Sequence, residues 1–261
     1  MRRFSQSFGL AVTVAQVAEE HDVTYPAAAL AYYGFVSQIP ILMLVLALLG
    51  DSLAKQTRTI LPAYLTPDAQ QLVSEALTNA SGGAGAMLLA VGVFAWSGAN
   101  IVLGFQTVIE RVEQNPERSF LTQLRDAGSI LGSFGLVIVS IVFTNLVFAL
   151  LPVGRVLAYS KPFVQFSMLT VAFFPLYYAP SQTVTSPTGA LPGALTAAAG
   201  WTVLLTAIQI YAANASRYAL FGVLSGIIII LTSLYLASVI LMLGVVVNTV
   251  TADTDDVSGL S

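Results

Sequence analysis

The sequence predicts an all-α, polytopic membrane protein, with six transmembrane helices preceded by an N-terminal interfacial helix. Three observations carry that prediction. Hydrophobic residues make up 56% of the 261-residue chain and charged residues only 9%, against about 25% charged in a soluble domain. Six stretches reach the roughly 20 predominantly apolar residues that cross a bilayer core. None of the six cores holds an Asp, Glu, Lys, Arg or His.

Residues 1–26 form an amphipathic interfacial segment. Within residues 4–20, Gln6, Thr13, Gln16 and Glu20 share one helical face, while Phe4, Phe8, Ala11, Val12 and Ala15 fall on another. The opening "MRRFSQSFG" carries two arginines, as an export signal would. The apolar stretch behind it is short, broken by Gln16 and followed by the charged "EEHD", so a cleaved signal is not expected.

Residues 27–249 form the transmembrane domain. The first span, about 27–49, lies between Pro26 and Asp51. A long link at 51–84 follows, with Thr66 as a helix N-cap, Pro67 at the first helical position and the amphipathic "DAQQLVSEAL". The second span is about 85–108 and ends before Glu110. The link "IERVEQNPERSFLTQLRDA" is strongly charged. The third span, about 128–151, stops at Pro152. The fourth, about 162–179, is the shortest; the fifth is about 191–213 and the sixth about 218–249. Gly222 and Gly226, four apart on one face, predict close packing of the sixth helix. Residues 250–261 make an acidic C-terminal tail.

Composition excludes several function classes. The chain has no cysteine, which removes disulfides, iron–sulfur clusters and thiolate zinc sites. Its one histidine, His21, sits in "EEHDVT", a solvated loop setting. No metal site and no cofactor are expected. Net charge is −3, with no clustered basic face, so nucleic acid is not an expected partner. Proton-coupled pumps carry an ionisable group at membrane depth, and these cores offer only amides, hydroxyls and aromatics.

The first span holds two residues that hydrocarbon does not suit. Gln38 needs hydrogen-bond partners, and Pro40 leaves the Val36 carbonyl without its helical donor. The second span carries Ser97 and Asn100, three apart and so on one face. Gln38, Pro40, Ser97 and Asn100 lie midway along their spans and are predicted to converge, with Tyr33 and Trp96 beside them. One reading is interhelical hydrogen bonding, at about 0.6 kcal/mol per contact. The other is a polar cavity that admits water or a headgroup.

No catalytic residue is expected. Glu110, Glu113 and Glu117 fall at i, i+3 and i+7, with Asp126 nearby, and a phosphodiesterase would need carboxylates that converge on metal. Pro116 interrupts the helix, and Arg111 and Arg118 neutralise the patch, which reads as a solvated face at the water boundary. No H-E-x-x-H, G-x-S-x-G or Walker loop occurs, and "SGGAG" lacks the Lys-Ser/Thr of a phosphate cradle.

Several stretches together resemble the YihY/BrkB family of integral membrane proteins, at one time labelled ribonuclease BN. "ALAYYGFVSQIPILMLVLALLG" is similar to the family's AYY-x3-S-x2-P first-helix motif. "FAWSGANIVLGFQTVIERV" resembles its W-S-x2-N segment, at Trp96, Ser97 and Asn100. "LPGALTAAAGW" resembles its P-G-A-x3-A segment, and "LFGVLSGIIIILTSLYLASVILMLG" its glycine-led last helix. The likeness covers roughly residues 10–250. Where members often end the last helix with Gly-Ala-Glu, this chain has Gly244, Val245 and Val246, so a role for that carboxylate does not carry over.

The resemblance implies a multi-pass protein of the plasma or inner membrane with both termini cytoplasmic. Arginine and lysine counts do not choose, since five fall on each side of such a topology. The expected function is transport or lipid and envelope handling without covalent catalysis, acting on membrane lipids or a small amphiphilic substrate. The alternative is a structural or scaffolding protein that binds partners through its charged loop and tail. A membrane-bound nuclease is the weakest reading.

Overall fold

A computed structural model describes residues 13, 14, 16–20, 22–38, 40, 41, 84–113, 119–150, 159–184, 186–214 and 222–258. Among these the secondary structure is helical, without strands. The first half of the interfacial segment and the link at 51–83 lie outside the described residues.

The helical stretch at 16–20 ends on Asp22, whose φ of 48° is left-handed. Val23 N–H bonds back to Ala18 C=O at 3.2 Å, closing the helix in the manner of a Schellman motif. Aspartate tolerates this conformation because its short polar side chain bonds locally. The chain then re-enters a helix, α1, described at residues 24–38, 40 and 41.

Among the described residues, five further α-helices follow: α2 (Ala84–Glu113), α3 (Phe120–Leu150), α4 (Lys161–Tyr178), α5 (Leu191–Ala213) and α6 (Gly222–Ser258). Prolines punctuate them. Pro116 and Pro152 lie just past the ends of α2 and α3, and Pro162 occupies the first turn of α4, where its missing N–H has no intrahelical partner to lose. A 3-10 turn, Pro187–Ala190, leads into α5, with Ser186 Oγ accepting from Gly189 N–H at 3.3 Å. Within these helices, Val91–Glu113, Leu121–Leu150, Pro187–Ala213 and Gly226–Ala252 are long and apolar enough to cross a membrane. α6 does not stop where the apolar run ends; it continues through the acidic residues to Ser258.

The chain divides into two compact units. One takes residues to Ala28, Val102–Leu205 and Leu236 onward; the other takes Ala29–Ile101 and Thr206–Tyr235.

In the first unit, α3 buries Asp126, Ile130, Ser133, Val137, Ser140 and Thr144. Their 4-3-4-3-4 spacing is a coiled-coil seam. α4 answers with Gln165, Leu169, Ala172 and Leu176, all buried at 4-3-4 spacing. Ser129 Oγ donates to Pro175 C=O at 2.7 Å and Ser140 Oγ to Met168 C=O at 3.4 Å, which sets an antiparallel register. Lys161 Nζ closes one end on Asn145 Oδ1 at 3.0 Å.

In the same unit α5 meets α6 through small residues. Gly193, Ala194, Ala197 and Ala198 are buried, and Trp201 Nε1 donates to Ala237 C=O at 3.1 Å. A Cβ at Gly193 would collide with the Gly244 carbonyl, and one at Gly200 would meet Ile240 Cγ2 at 2.5 Å. Helix backbones approach this closely only where side chains are absent. At Gly226, which belongs to the second unit, the expected tight packing is not found: among the described residues nothing lies within 4 Å of a Cβ built there. The close approach on α6 sits five turns later, at Gly244, where a Cβ would strike Tyr177 Oη.

In the second unit, Tyr33 packs edge-on against both Tyr32 and Trp96, with ring centroids 5.3 Å apart in each pair.

Candidate polar sites

The residues singled out in the first and second spans all fall in the second unit. Ser97 is fully buried, and its Oγ has no hydrogen-bond partner among the described residues. Pro40 is buried, Tyr33 is half-buried against Trp96, and Trp96 is 52% exposed. Gln38 is exposed. Asn100 is half-buried and turns its amide onto its own helix, Nδ2 donating to Trp96 C=O at 2.7 Å. Ser37 likewise bonds to Gly34 C=O at 2.8 Å. The structure thus brings Tyr33 to Trp96 but gives Asn100 an intrahelical partner in place of the expected amide of Gln38. An open apolar groove of about 340 Å³ runs along Leu88, Leu89, Gly92, Val93 and Trp96.

The first unit holds a second polar site that the sequence does not announce. Glu113, the last residue of α2, is half-buried rather than solvated. Its Oε1 accepts from Ser181 Oγ and, at 3.0 Å, from Thr183 Oγ1; its Oε2 accepts from Gln182 N–H at 2.9 Å. Ser181 Oγ in turn accepts from Val184 N–H at 3.1 Å. One carboxylate therefore fastens the segment that leaves α4. The reason is electrostatic as well as geometric: a carboxylate at a helix C-terminus faces the negative end of the dipole, and three donors offset that penalty. Asp126 is also buried, on the α3 seam. Glu110 is half-buried, and Glu117 lies outside the described residues. The acidic patch is thus not a uniformly solvated face.

Beside Glu113, Tyr177 Oη donates to Leu241 C=O at 2.9 Å, and Asn248 Oδ1 accepts from Gly193 N–H at 2.5 Å. The latter satisfies one of the orphan donors at the start of α5 from a different helix. Ile109, Glu113, Tyr177, Ser181, Val245 and Asn248 line a small, partly open recess of about 10 Å³. That is the room one water occupies. Phe105 packs edge-on against Tyr177, with ring centroids 6.3 Å apart. Among the described residues, no three His, Asp or Glu side chains gather into a metal-binding group.

Residues 14–259 match the family described as virulence factor BrkB. The chain belongs to that family. This BrkB-family chain is 28% identical over 262 residues to the ribonuclease-like protein YfkH of Bacillus subtilis (strain 168), spanning 87% of this chain and 90% of that protein. No solved structure matches it. It is a BrkB-family membrane protein with several apolar helices, and its secondary structure is helical among the described residues.

The α3–α4 seam holds further buried polar atoms. Ser133 Oγ, Thr144 Oγ1 and Gln165 Nε2 are buried without a hydrogen-bond partner among the described residues. Each such atom costs about 1–3 kcal/mol. No motif betrays the seam, although small polar residues at 4-3 spacing inside an apolar helix are a readable signal.

Proposed function

We propose that this BrkB-family protein handles membrane lipid or a small amphiphilic substrate, without covalent catalysis, a cofactor or nucleic acid. In this reading it spans the plasma membrane six times, with both termini cytoplasmic and the N-terminal helix lying in the interface. The supporting observation is the polar seam between α3 and α4, with Asp126, Ser133, Ser140, Thr144 and Gln165 buried in otherwise apolar helices. A permanent contact would gain from apolar side chains there. Three unsatisfied polar atoms suit a seam that separates and bonds a headgroup or water in another state.

The test is reconstitution into vesicles that carry a headgroup-labelled fluorescent lipid. Dithionite should quench more than the outer-leaflet half when the protein is present. Ser133→Ala with Thr144→Val and Gln165→Leu should slow that excess quenching at least several-fold. Quenching that stays at the outer-leaflet fraction, together with no flux of small amphiphiles, overturns the reading.

A second reading, a scaffold, draws support from the exposed Gln38 and the self-bonded Asn100. It expects inert vesicles and a protein whose bound partners are lost when residues 250–261 are deleted.

A further inference from the structure

We propose that the α3–α4 seam, at the end where α3 stops and α4 starts, binds a phosphate oxygen of a lipid headgroup. Thr144 and Gln165 are its donors, and α4 admits the headgroup by swinging on Pro175. The inference rests on the lipid reading and names its ligand chemistry.

The argument begins with a bond that is not made. Thr107, Thr170, Thr196 and Thr202 each donate to the carbonyl four residues back in their own helix, at 2.7–2.9 Å. Asn145 does the same through Nδ2, to Ile141 C=O. Thr144, its neighbour, is fully buried, and its Oγ1 makes no hydrogen bond among the described residues. Gln165 is 5% exposed and its Nε2 is likewise unpartnered, although a buried amide ordinarily finds a partner.

Register puts the two together. Ser140 Oγ meets Met168 C=O at 3.4 Å, and Asn145 Oδ1 meets Lys161 Nζ at 3.0 Å. Thr144 and Gln165 lie between these two contacts, inside about 10 Å of seam at 1.5 Å per residue. Leu150, where α3 stops, is about 9 Å beyond Thr144, and Lys161 starts α4 about 6 Å before Gln165. Both donors are thus nearer the helix ends than the middle of a span.

The ligand must supply acceptors, because a hydroxyl O–H and an amide N–H both donate. The start of α4 is the positive end of its dipole, and a helical side chain leans toward its own N-terminus, so Gln165 leans that way. An anionic oxygen suits this setting better than a neutral ester carbonyl. Lys161 is already engaged with Asn145 and is not counted as a ligand.

Access follows from Pro175. A proline inside α4 removes the helical bond to the Val171 carbonyl. From Pro175 onward α4 is held, by Ser129 Oγ on Pro175 C=O at 2.7 Å and by Tyr177 Oη on Leu241 C=O at 2.9 Å. The arm before it carries Gln165 and meets α3 through the longer Ser140 bond. Swinging that arm exposes Thr144 and Gln165 and leaves the other end of the seam shut.

The test is thermal unfolding of the full chain in detergent, followed by tryptophan fluorescence, with short-chain phosphatidylglycerol titrated in. The expected result is a saturable rise in Tm, about 3–6 °C at ten times the dissociation constant. Diacylglycerol of the same chains lacks the phosphate and should give none. Inorganic phosphate should also give none; a rise equal to the lipid's would keep the site and overturn lipid as its source. Thr144→Val with Gln165→Leu replaces two unsatisfied atoms by apolar ones, so its ligand-free Tm should rise by about 4 °C or more. The same variant should lose the lipid-dependent rise. Ser167→Ala, at an exposed serine bonded to Phe163 C=O, should keep it. Pro175→Ala should weaken binding at least tenfold, because the open state becomes rarer. A lipid-dependent rise that survives Thr144→Val with Gln165→Leu, or equal rises from phosphatidylglycerol and diacylglycerol, overturn the site. Unchanged affinity in Pro175→Ala overturns the hinge. Lipid transfer in vesicles without this Tm rise sinks the site and leaves the lipid reading, whereas the rise without transfer keeps the site and sinks that reading.

Discussion

Replacing Gly244 with alanine adds one methyl group at the most crowded point of the first unit. The new Cβ would strike Tyr177 Oη and lie 2.6 Å from Cζ and 2.9 Å from Cε1. Tyr177 cannot swing aside freely: it is only 2% exposed, and its hydroxyl is bonded to Leu241 C=O. Overpacking of this kind costs about 1–3 kcal/mol. Loss of the tyrosine bond adds about 1 kcal/mol. Against these, alanine gains about 0.8–1 kcal/mol of helix propensity over glycine. The net is a destabilisation of about 1–3 kcal/mol, and at 2–4 °C per kcal/mol the Tm falls by about 2–12 °C. Gly132→Ala is the control, because nothing lies within 4 Å of a Cβ there. It should raise Tm by about 2–4 °C through propensity alone. Adding Tyr177→Phe to Gly244→Ala should rescue little, since the ring carbon at 2.6 Å remains. The assay is thermal unfolding in detergent, followed by tryptophan fluorescence. If Gly244→Ala melts at or above the parent while Gly132→Ala behaves as stated, the helices are not as close as described.

Three further outcomes are expected. Asn248→Ala leaves the buried Gly193 N–H without its acceptor and should destabilise by about 1–3 kcal/mol, read in the same melts. Single cysteines at Ser74 and Ser119, on this cysteine-free background, should react differently in intact cells. Impermeant maleimide should reach Ser74 from outside and not Ser119, and the reverse pattern sinks the cytoplasmic placement of the termini. Purified protein should not cleave RNA; cleavage that disappears in Glu113→Gln with Glu117→Gln would show the acidic patch to be catalytic.

The helical, membrane-spanning character was legible in the sequence because an apolar run of bilayer length has few other uses, and Pro162 marks the first turn of α4. The glycine contact was harder. Gly222 and Gly226 look like the packing pair, yet Gly226 has open space and Gly244 carries the contact. Spacing gives a shared face but not which face meets a neighbour; that depends on helix rotation. The Glu113 clamp was hidden for a different reason. Its donors lie 68–70 residues away in a short polar link, and only folding brings them within reach. Asn100 shows the limit from the other side: an amide in a helix can satisfy itself on the carbonyl four residues back, so a polar residue in a span need not have a partner on another helix.

The unbroken length of α6 has a mechanical consequence. At 1.5 Å per residue, 37 residues extend about 55 Å, well beyond a hydrocarbon core of about 30 Å. The 14 residues beyond Gly244, ending at Ser258, form an arm of about 21 Å. A tilt of about 10° at the glycine would swing the acidic tip by about 4 Å, and a push on the tip would travel back along the same rod. Anything that grips the end of this helix therefore has leverage on the Gly244–Tyr177 contact and on Asn248, one turn away, without touching either.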